Sequence, residues 1–217
     1  QKNWALDTLP MEGDWVLIVD ADEVITPALR TQLEAVSQRP SEDVPESGFY
    51  LNRLFYFLDR PIRHCGYHPS WNLRFFKRGS GRYEERAVHE HLLIDGPVGW
   101  IRTPMEHRDR RGLETYIAKH NRYSTLEARE IVAGLHGDGH RLDASLTGNQ
   151  LQKRRWIKER LYARLPAKWL LRFLYMYVLR LGFLDGLTGF RFCLFISSYE
   201  LQIALKMIEF QREETAS

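Results

Sequence analysis

The chain has 217 residues, 44% hydrophobic and 27% charged, and a net charge of +3. That length holds one sizeable domain or a domain plus an appendage, and the balance of charge excludes a polycation. Cys65 and Cys193 lie far apart, which excludes a disulfide scaffold and any CxxC or metal-type cysteine spacing; a reduced, cytosolic setting is the default, with a single disulfide left open.

The first element is the run "WVLIVDADEVIT" at 15–26, five apolar residues after Trp15 and Val16 are counted in, closed by Asp20, Ala21, Asp22 and Glu23. It reads as a fully buried strand with carboxylates at its mouth. Such acids repel one another unless a cation, a proton or a positive partner offsets them. If the strand conformation continues, Asp20 and Asp22 share a face and converge on one hard divalent ion. A strand running out into a solvated loop is the plainer alternative. The sequence opens at Gln1, just upstream of this strand, with no Met and no signal-like segment, and the expectation is a fragment.

Thr26 and Pro27 suit an N-cap and a first helical position, and Leu29, Leu33 and Val36 follow at helical spacing. Residues 37–47 are a polar, proline-broken loop. Aromatic and aliphatic residues then alternate (Phe49, Leu51, Arg53, Phe55, Phe57), which predicts a strand, and 71–78 predicts another, closed by the turn "GSGR". "RAVHEHLLIDG" and "VGWIR" are short and strand-like. From Gly112 the period changes to a helical stripe of Leu113, Tyr116, Ile117, His120, Ser124 and Ile131, ending near "AGLHGDG". From Asn149 the pattern is helical to the end, broken at Pro166 and at "GFLDGLTG". These periods divide the chain at 148/149: an α/β part over 1–148 and a helical tail over 149–217.

The tail has its own physical signature. Residues 153–172 carry eight basic side chains against the single acid Glu159, and "WLLRFLYMYVLRLGFLDG" follows with Arg172 and Arg180 two helical turns apart. No apolar stretch reaches the ~20 uncharged residues of a spanning helix. A cationic run beside an apolar helix suits the surface of an anionic membrane; a packed lid or a dimer face is the alternative. Arginine and aromatics interleave here as in single-strand binders, yet the apolar faces are too extensive for a solvated groove, and no nucleic-acid partner is expected.

Two kinds of enzyme place Asp-x-Asp after a buried strand. "DADEV" satisfies the Asp-x-Asp-x-(Val/Thr) of haloacid-dehalogenase-like, magnesium-dependent phosphatases, with "GDGHRLD" imitating their late acidic pair at the end of what reads as a helix. In nucleotide-sugar transferases the same carboxylates hold a divalent ion on a diphosphate. Taken together, "WVLIVDADEVITPAL", "WNLRFFKRGSGRYEERAVHEHL", "EHRDRRGLETYIAKHNRYSTLEAR" and "RFLYMYVLRLGFLDG" resemble, in order and spacing, the family 2 glycosyltransferases, in particular the bacterial lipopolysaccharide-core and envelope-glycan branch.

The resemblance implies an α/β chain: part of a GT-A-type nucleotide-sugar transferase domain, a mixed sheet with flanking helices, followed by a helical C-terminal tail. An N-terminal half of nucleotide-binding βα units is what the family would add. It implies transfer of a sugar from a nucleotide-diphosphate donor to an envelope glycan or lipid-linked acceptor, with inversion and a divalent metal (manganese or magnesium), a fragment of this kind being inactive. Asp22 and Asp20 become the acidic motif, Asp22 nearer the metal and Asp20 nearer the nucleotide, with His107 completing the metal set. Glu90 becomes the general base, with His89 as the next candidate. Lys119, Arg122 and Arg74 become diphosphate contacts. "QKRRW" at 152–156 matches the Gln-x-x-Arg-Trp of processive polysaccharide synthases and is counted with the basic run. The implied place is the cytoplasmic side, peripheral on the inner face of the bacterial cytoplasmic membrane. A non-enzymatic module at a membrane surface is a third reading.

Overall fold

The structure, a computed structural model, describes residues 2–84, 92–135 and 167–216. The chain divides into two compact units, Gln1–Arg110 and Arg111–Ser217. The division expected at 148/149 lies outside the described residues, as do Glu90, His89 and "QKRRW".

The first unit opens with helix α1 (Lys2–Thr8), absent from the sequence reading. Asn3 fastens it: its Nδ2 donates to the Tyr83 carbonyl at 2.9 Å, and its Oδ1 accepts from the Tyr83 amide at 2.8 Å. Strands β1 (Trp15–Leu17) and β2 (Glu23–Val24) and helix α2 (Pro27–Ser37) follow. Then come β3 (Gly48–Phe57), β4 (Arg60–Pro61), β5 (Trp71–Lys77), β6 (Gly81–Tyr83), β7 (Leu92–Ile94) and β8 (Val98–His107). The main sheet runs β1-β5-β3-β8-β2, with β4 on β3 and a small separate β6–β7 pair. β3 and β8 are parallel and the other pairs antiparallel, so the sheet is mixed.

Helix α2 forms as the sequence dictates. Thr26 Oγ1 accepts from the Leu29 amide and Pro27 fixes the first helical φ. Leu29 and Leu33 then point into a core with Val44, Phe49, Leu51, Phe75, Ile101 and Met105. Burying a side chain of this size stabilises the unit by about 1.5–3 kcal/mol. Trp15, Phe49 and Phe75 stack at its rim, Trp15 on Phe75 at 4.7 Å between centroids.

The "WVLIV" run differs from its expectation. β1 stands at the end of the sheet order and among the described residues is paired only to β5; Val16 is buried while Leu17 is 36% and Val19 41% exposed. An apolar run alone does not say how many neighbours a strand will have.

The second unit is helical: α3 (Leu113–Leu135), α4 (Lys168–Leu174), a π-helical turn (Tyr175–Leu179), a 3₁₀ turn (Gly182–Asp185) and the long α5 (Gly186–Ala216). The breaks fall near those read from "GFLDGLTG". The π turn and a left-handed Leu181 (φ 56°) end the straight helix in which Arg172 and Arg180 were expected to align. Along α3 the buried or half-buried positions include Tyr116, His120, Ser124, Ala128, Ile131 and Val132, whereas Leu113 and Ile117 are exposed. Tyr116 and His120 meet Phe195, Ser124 meets Gln202, and Arg129 covers the Phe210 ring. Sequence numbers climb together along both helices, so α3 and α5 run in the same direction. Lys206 Nζ clamps the pair, donating to Asn121 Oδ1, Ser124 Oγ and Thr125 Oγ1 at 2.7–2.8 Å. Cys65 and Cys193 are both buried and form no disulfide.

The mixed α/β first unit followed by a helical unit is the architecture expected of a partial GT-A-type domain with a helical C-terminal tail.

Candidate active site

Past β1 the chain leaves the sheet and turns. Glu23 N donates to the Asp20 carbonyl at 2.9 Å, and Glu23 Oε2 accepts from the Asp20 amide at 2.8 Å, closing a tight loop around Ala21 and Asp22. β2 then pairs with the end of β8, Glu23 opposite His107, and Arg108 N donates to the Asp22 carbonyl at 2.7 Å. The acidic residues therefore occupy a turn rather than an extended strand, and the shared face expected of Asp20 and Asp22 does not arise.

A β-bulge separates the two aspartates further. In the β3–β5 ladder Phe49 faces Phe75 and Tyr50 faces Leu73, so Arg74 is the extra residue. Bulges re-aim side chains, and here Arg74 Nη2 reaches Asp20 Oδ2 at 2.5 Å and Glu23 Oε1 at 3.1 Å. Arg53 Nη1 lies 3.8 Å from the same Glu23 oxygen, and the Glu23 side chain is wholly buried. Burial pushes the Asp20 carboxyl up, but the Arg74 hydrogen bond and charge together outweigh it and hold the group below its ordinary range. Burial likewise disfavours the Arg74 cation, and its acidic partners more than restore it. Every Glu23 oxygen has a partner, the condition under which a buried ionic network fixes one geometry.

Asp22 faces the other way. Its Oδ2 lies 3.2 Å from His107 Nε2, both side chains partly exposed. The imidazole rests against Phe55, 5.4 Å between ring centroids, and its Nδ1 is buried with no hydrogen-bond partner among the described residues. Beside it, Arg108 Nε meets Glu106 Oε2 at 2.6 Å and Tyr56 OH donates to Glu106 Oε1 at 2.8 Å. The Arg108 guanidinium also lies 3.7 Å over the Tyr56 ring. The Arg108 hydrogen bond holds the Glu106 carboxyl low. This cluster pins the end of β8 from which His107 projects.

A divalent ion fits the pair by donor chemistry. Ligands about 2.1 Å from an octahedral ion and at right angles to each other lie roughly 3 Å apart, close to the Asp22–His107 separation. Among the described residues no three His, Cys, Asp or Glu side chains gather to cage an ion. Two protein donors suit magnesium or manganese, which complete their shell with water and substrate phosphate.

The structure thus brings Asp22 to His107 and Asp20 to Arg74. The Arg74 guanidinium, expected at an acceptor or leaving phosphate, is instead 8% exposed and spent on Asp20 and Glu23. Lys119 and Arg122 stand on α3 in the second unit, Lys119 Nζ 5.7 Å from the Tyr123 ring centroid and Arg122 exposed. The sequence reading named Glu23 among the acids that need a positive partner, and missed Arg53, Tyr56, Glu106 and Arg108 as supporting residues.

No family model matches the chain. It is similar to the lipopolysaccharide core biosynthesis glycosyltransferase LpsC of Rhizobium meliloti (strain 1021), 33% identical over 134 residues, 61% of this chain. That stretch is 48% of LpsC, so the chain spans about half the length of this relative.

Proposed function

We propose that this chain is the metal- and acceptor-side part of a family 2 glycosyltransferase, acting in assembly of the lipopolysaccharide core or a related envelope glycan. It would move a sugar from a nucleoside-diphosphate donor to a glycan or lipid-linked acceptor. The likeness to LpsC supports the reaction class, and the Asp22–His107 pair is the observation that carries the chemistry. Asp22 and His107 would hold manganese or magnesium, with Asp20 withdrawn onto Arg74. When bound, the cation offsets charge developing on the departing nucleoside diphosphate.

Glu90, with His89 the next candidate, takes the proton from the acceptor hydroxyl as its oxygen attacks the anomeric carbon. The diphosphate leaves from the opposite face, so a single displacement inverts configuration. By the resemblance alone, Lys119 and Arg122 would be diphosphate contacts.

The phosphatase reading requires Asp20 as nucleophile. A carboxylate with Oδ2 bound by Arg74 at 2.5 Å has one oxygen engaged and its basicity lowered, which disfavours attack on phosphorus from that oxygen.

The second unit supports a peripheral place on the inner face of the cytoplasmic membrane. No described helix is long and apolar enough to cross a membrane. Leu170, Leu171, Leu174, Val178, Leu179 and Leu187, at the end of the basic run and after it, are 42–73% exposed.

The test is transfer by a longer form that carries the nucleotide-binding units. Glu90→Gln should lower sugar transfer by roughly 10²–10⁴-fold while donor binding survives. Equal loss of binding and transfer would remove Glu90 from the base role. Hydrolysis of phosphomonoesters through phosphorylated Asp20 would overturn the transferase reading altogether.

A further inference from the structure

We propose that a cleft on the other face of the main sheet is a second glycan site, which holds an anionic stretch of the acceptor away from the reacting hydroxyl. The proposal rests on the transferase reading and extends it to the acceptor. The cleft has a volume of about 490 Å³ and is lined by Asn52, His68, Pro69, Trp71, Trp100 and Arg102. That volume is within the range of small-ligand sites, about 300–1,000 Å³.

The register fixes its face. Asn52 pairs with Trp71 across β3–β5, and Tyr50 pairs with Trp100 across β3–β8. Tyr50 and Asn52 are two apart on β3, so all four share one side. Leu51 belongs to the core and Phe55 pairs with His107, which places the Asp22–His107 pair on the opposite side. The cleft therefore lies on the other side of the sheet from the Asp22–His107 pair.

Its walls are held open by the backbone. Between Leu51↔Ile101 and Asn52↔Pro104 the β8 strand carries two extra residues, Arg102 and Thr103. Asn52 fills this bulge: its Nδ2 donates to the Arg102 carbonyl at 3.2 Å, and its Oδ1 accepts from the Ser70 amide at 3.2 Å. One buried amide thus ties the segment before Trp71 to the one bearing Arg102. The Trp100 ring is stacked on Tyr50 at 5.7 Å and 15°, yet 58% exposed; Trp71 is 37% exposed. The Arg102 side chain is exposed and makes no hydrogen bond or ion pair among the described residues, and none of the described lining residues is acidic.

The chemistry of these groups selects the ligand. A pyranose ring presents C–H groups on its faces, which pack on indole, and hydroxyls on its rim, which meet amide and imidazole groups. The two tryptophans sit on strands either side of β3, roughly 11 Å apart at Cα from strand spacing and rise. That is too far to sandwich one flat ring, and it suits separate rings of an oligosaccharide. An unpaired guanidinium adds a fork for phosphate or carboxylate on the sugar.

The probe is a deacylated, phosphate-bearing core oligosaccharide from bacterial lipopolysaccharide, titrated into the full chain. Indole N–H resonances report the site. Those of Trp71 and Trp100 should shift while Trp15 stays in place. Trp100→Ala, at an exposed position, should weaken binding on the order of tenfold or more. Arg102→Gln should weaken binding of the phosphorylated probe at least several-fold and leave the dephosphorylated one unchanged. Circular dichroism of each variant establishes that the fold is retained. Binding unaltered in both variants, or shifts confined to other tryptophans, would overturn the proposal. Asp22→Asn separates the two readings: oligosaccharide binding should survive it, and loss of oligosaccharide binding in that variant would show that the cleft is not an independent site.

Discussion

Arg74 Nη2 lies 2.5 Å from Asp20 Oδ2, and this contact gives the two aspartates of one tight turn different tasks. Asp20 becomes part of a buried ionic frame, and Asp22 is left to meet His107. The arrangement depends on Arg74 being the extra residue of a bulge, since a regular β5 would point its side chain elsewhere.

Removal of Arg74 should therefore be a stability event first. Arg74→Gln leaves the buried Glu23 carboxylate with the Asp20 amide and, as its nearest cation, Arg53 at 3.8 Å. Taking one partner from a buried ion pair costs about 3–5 kcal/mol. Urea denaturation of Arg74→Gln should show a loss of that order, and Arg74→Lys a smaller one. A loss below about 1 kcal/mol would mean the frame carries little of the fold.

Acid should weaken the first unit in a defined direction. The Asp20 and Glu106 carboxyls are held below their ordinary values in the folded chain. Between the folded and unfolded values the unfolded chain binds more protons, so stability rises with pH there. The contribution is complete above the unfolded values, about pH 4, and is lost as pH falls through the folded ones. Thermal melts from pH 7 to pH 3 should fall only at the acid end, and Asp20→Asn with Glu106→Gln should flatten that fall. An unchanged acid limb in the double variant would contradict it.

In the second unit, a Cβ on Gly189 would meet the Gly182 carbonyl oxygen at 2.2 Å and the Asp185 Cβ at 2.8 Å. Backbone cannot swing aside as a side chain does, so Gly189→Ala should destabilise by about 1–3 kcal/mol. Gly13→Ala, whose Cβ would approach nothing nearer than 3.7 Å, is the control and should be near neutral. Equal melting temperatures for the two variants would show that the turn before α5 relaxes freely.

What the sequence made legible follows from the range of the forces involved. Thr26-Pro27 and the Leu29/Leu33 spacing gave α2 because capping and helical period act within a few residues. Period-two aromatics gave β3, and the glycine-rich break gave the start of α5. The exposure of Leu17 was not legible, because it depends on strand neighbours set elsewhere in the chain. The pairing of Asp22 with His107 was read from the resemblance. That of Asp20 with Arg74 depends on a bulge, and bulges leave no periodic mark; a helix as short as α1 leaves almost as little.

The apolar surface of the second unit and the basic run at 153–172 make a joint prediction for membrane binding. Near an anionic surface each cation contributes about 1 kcal/mol. The chain should sediment with vesicles containing anionic lipid more than with neutral ones, and less as salt rises. Replacing Arg154, Arg155, Lys158 and Arg160 with Gln should weaken this binding without unfolding the protein. Replacing Leu179 and Leu187, 73% and 62% exposed, with Ser should weaken it too. Indifference of the full chain to lipid charge would assign the surface to a packed or dimeric face instead.

The division of labour between the two aspartates is tested most directly by manganese binding, followed by electron paramagnetic resonance of the chain with and without UDP, GDP or ADP. Manganese should bind, more tightly when a nucleoside diphosphate completes its shell. Asp22→Asn and His107→Ala should each weaken it on the order of tenfold or more, whereas Asp20→Asn should change it far less. Binding lost in Asp20→Asn but intact in Asp22→Asn, or no manganese binding by the wild-type chain at any of these nucleotides, would contradict the site as described.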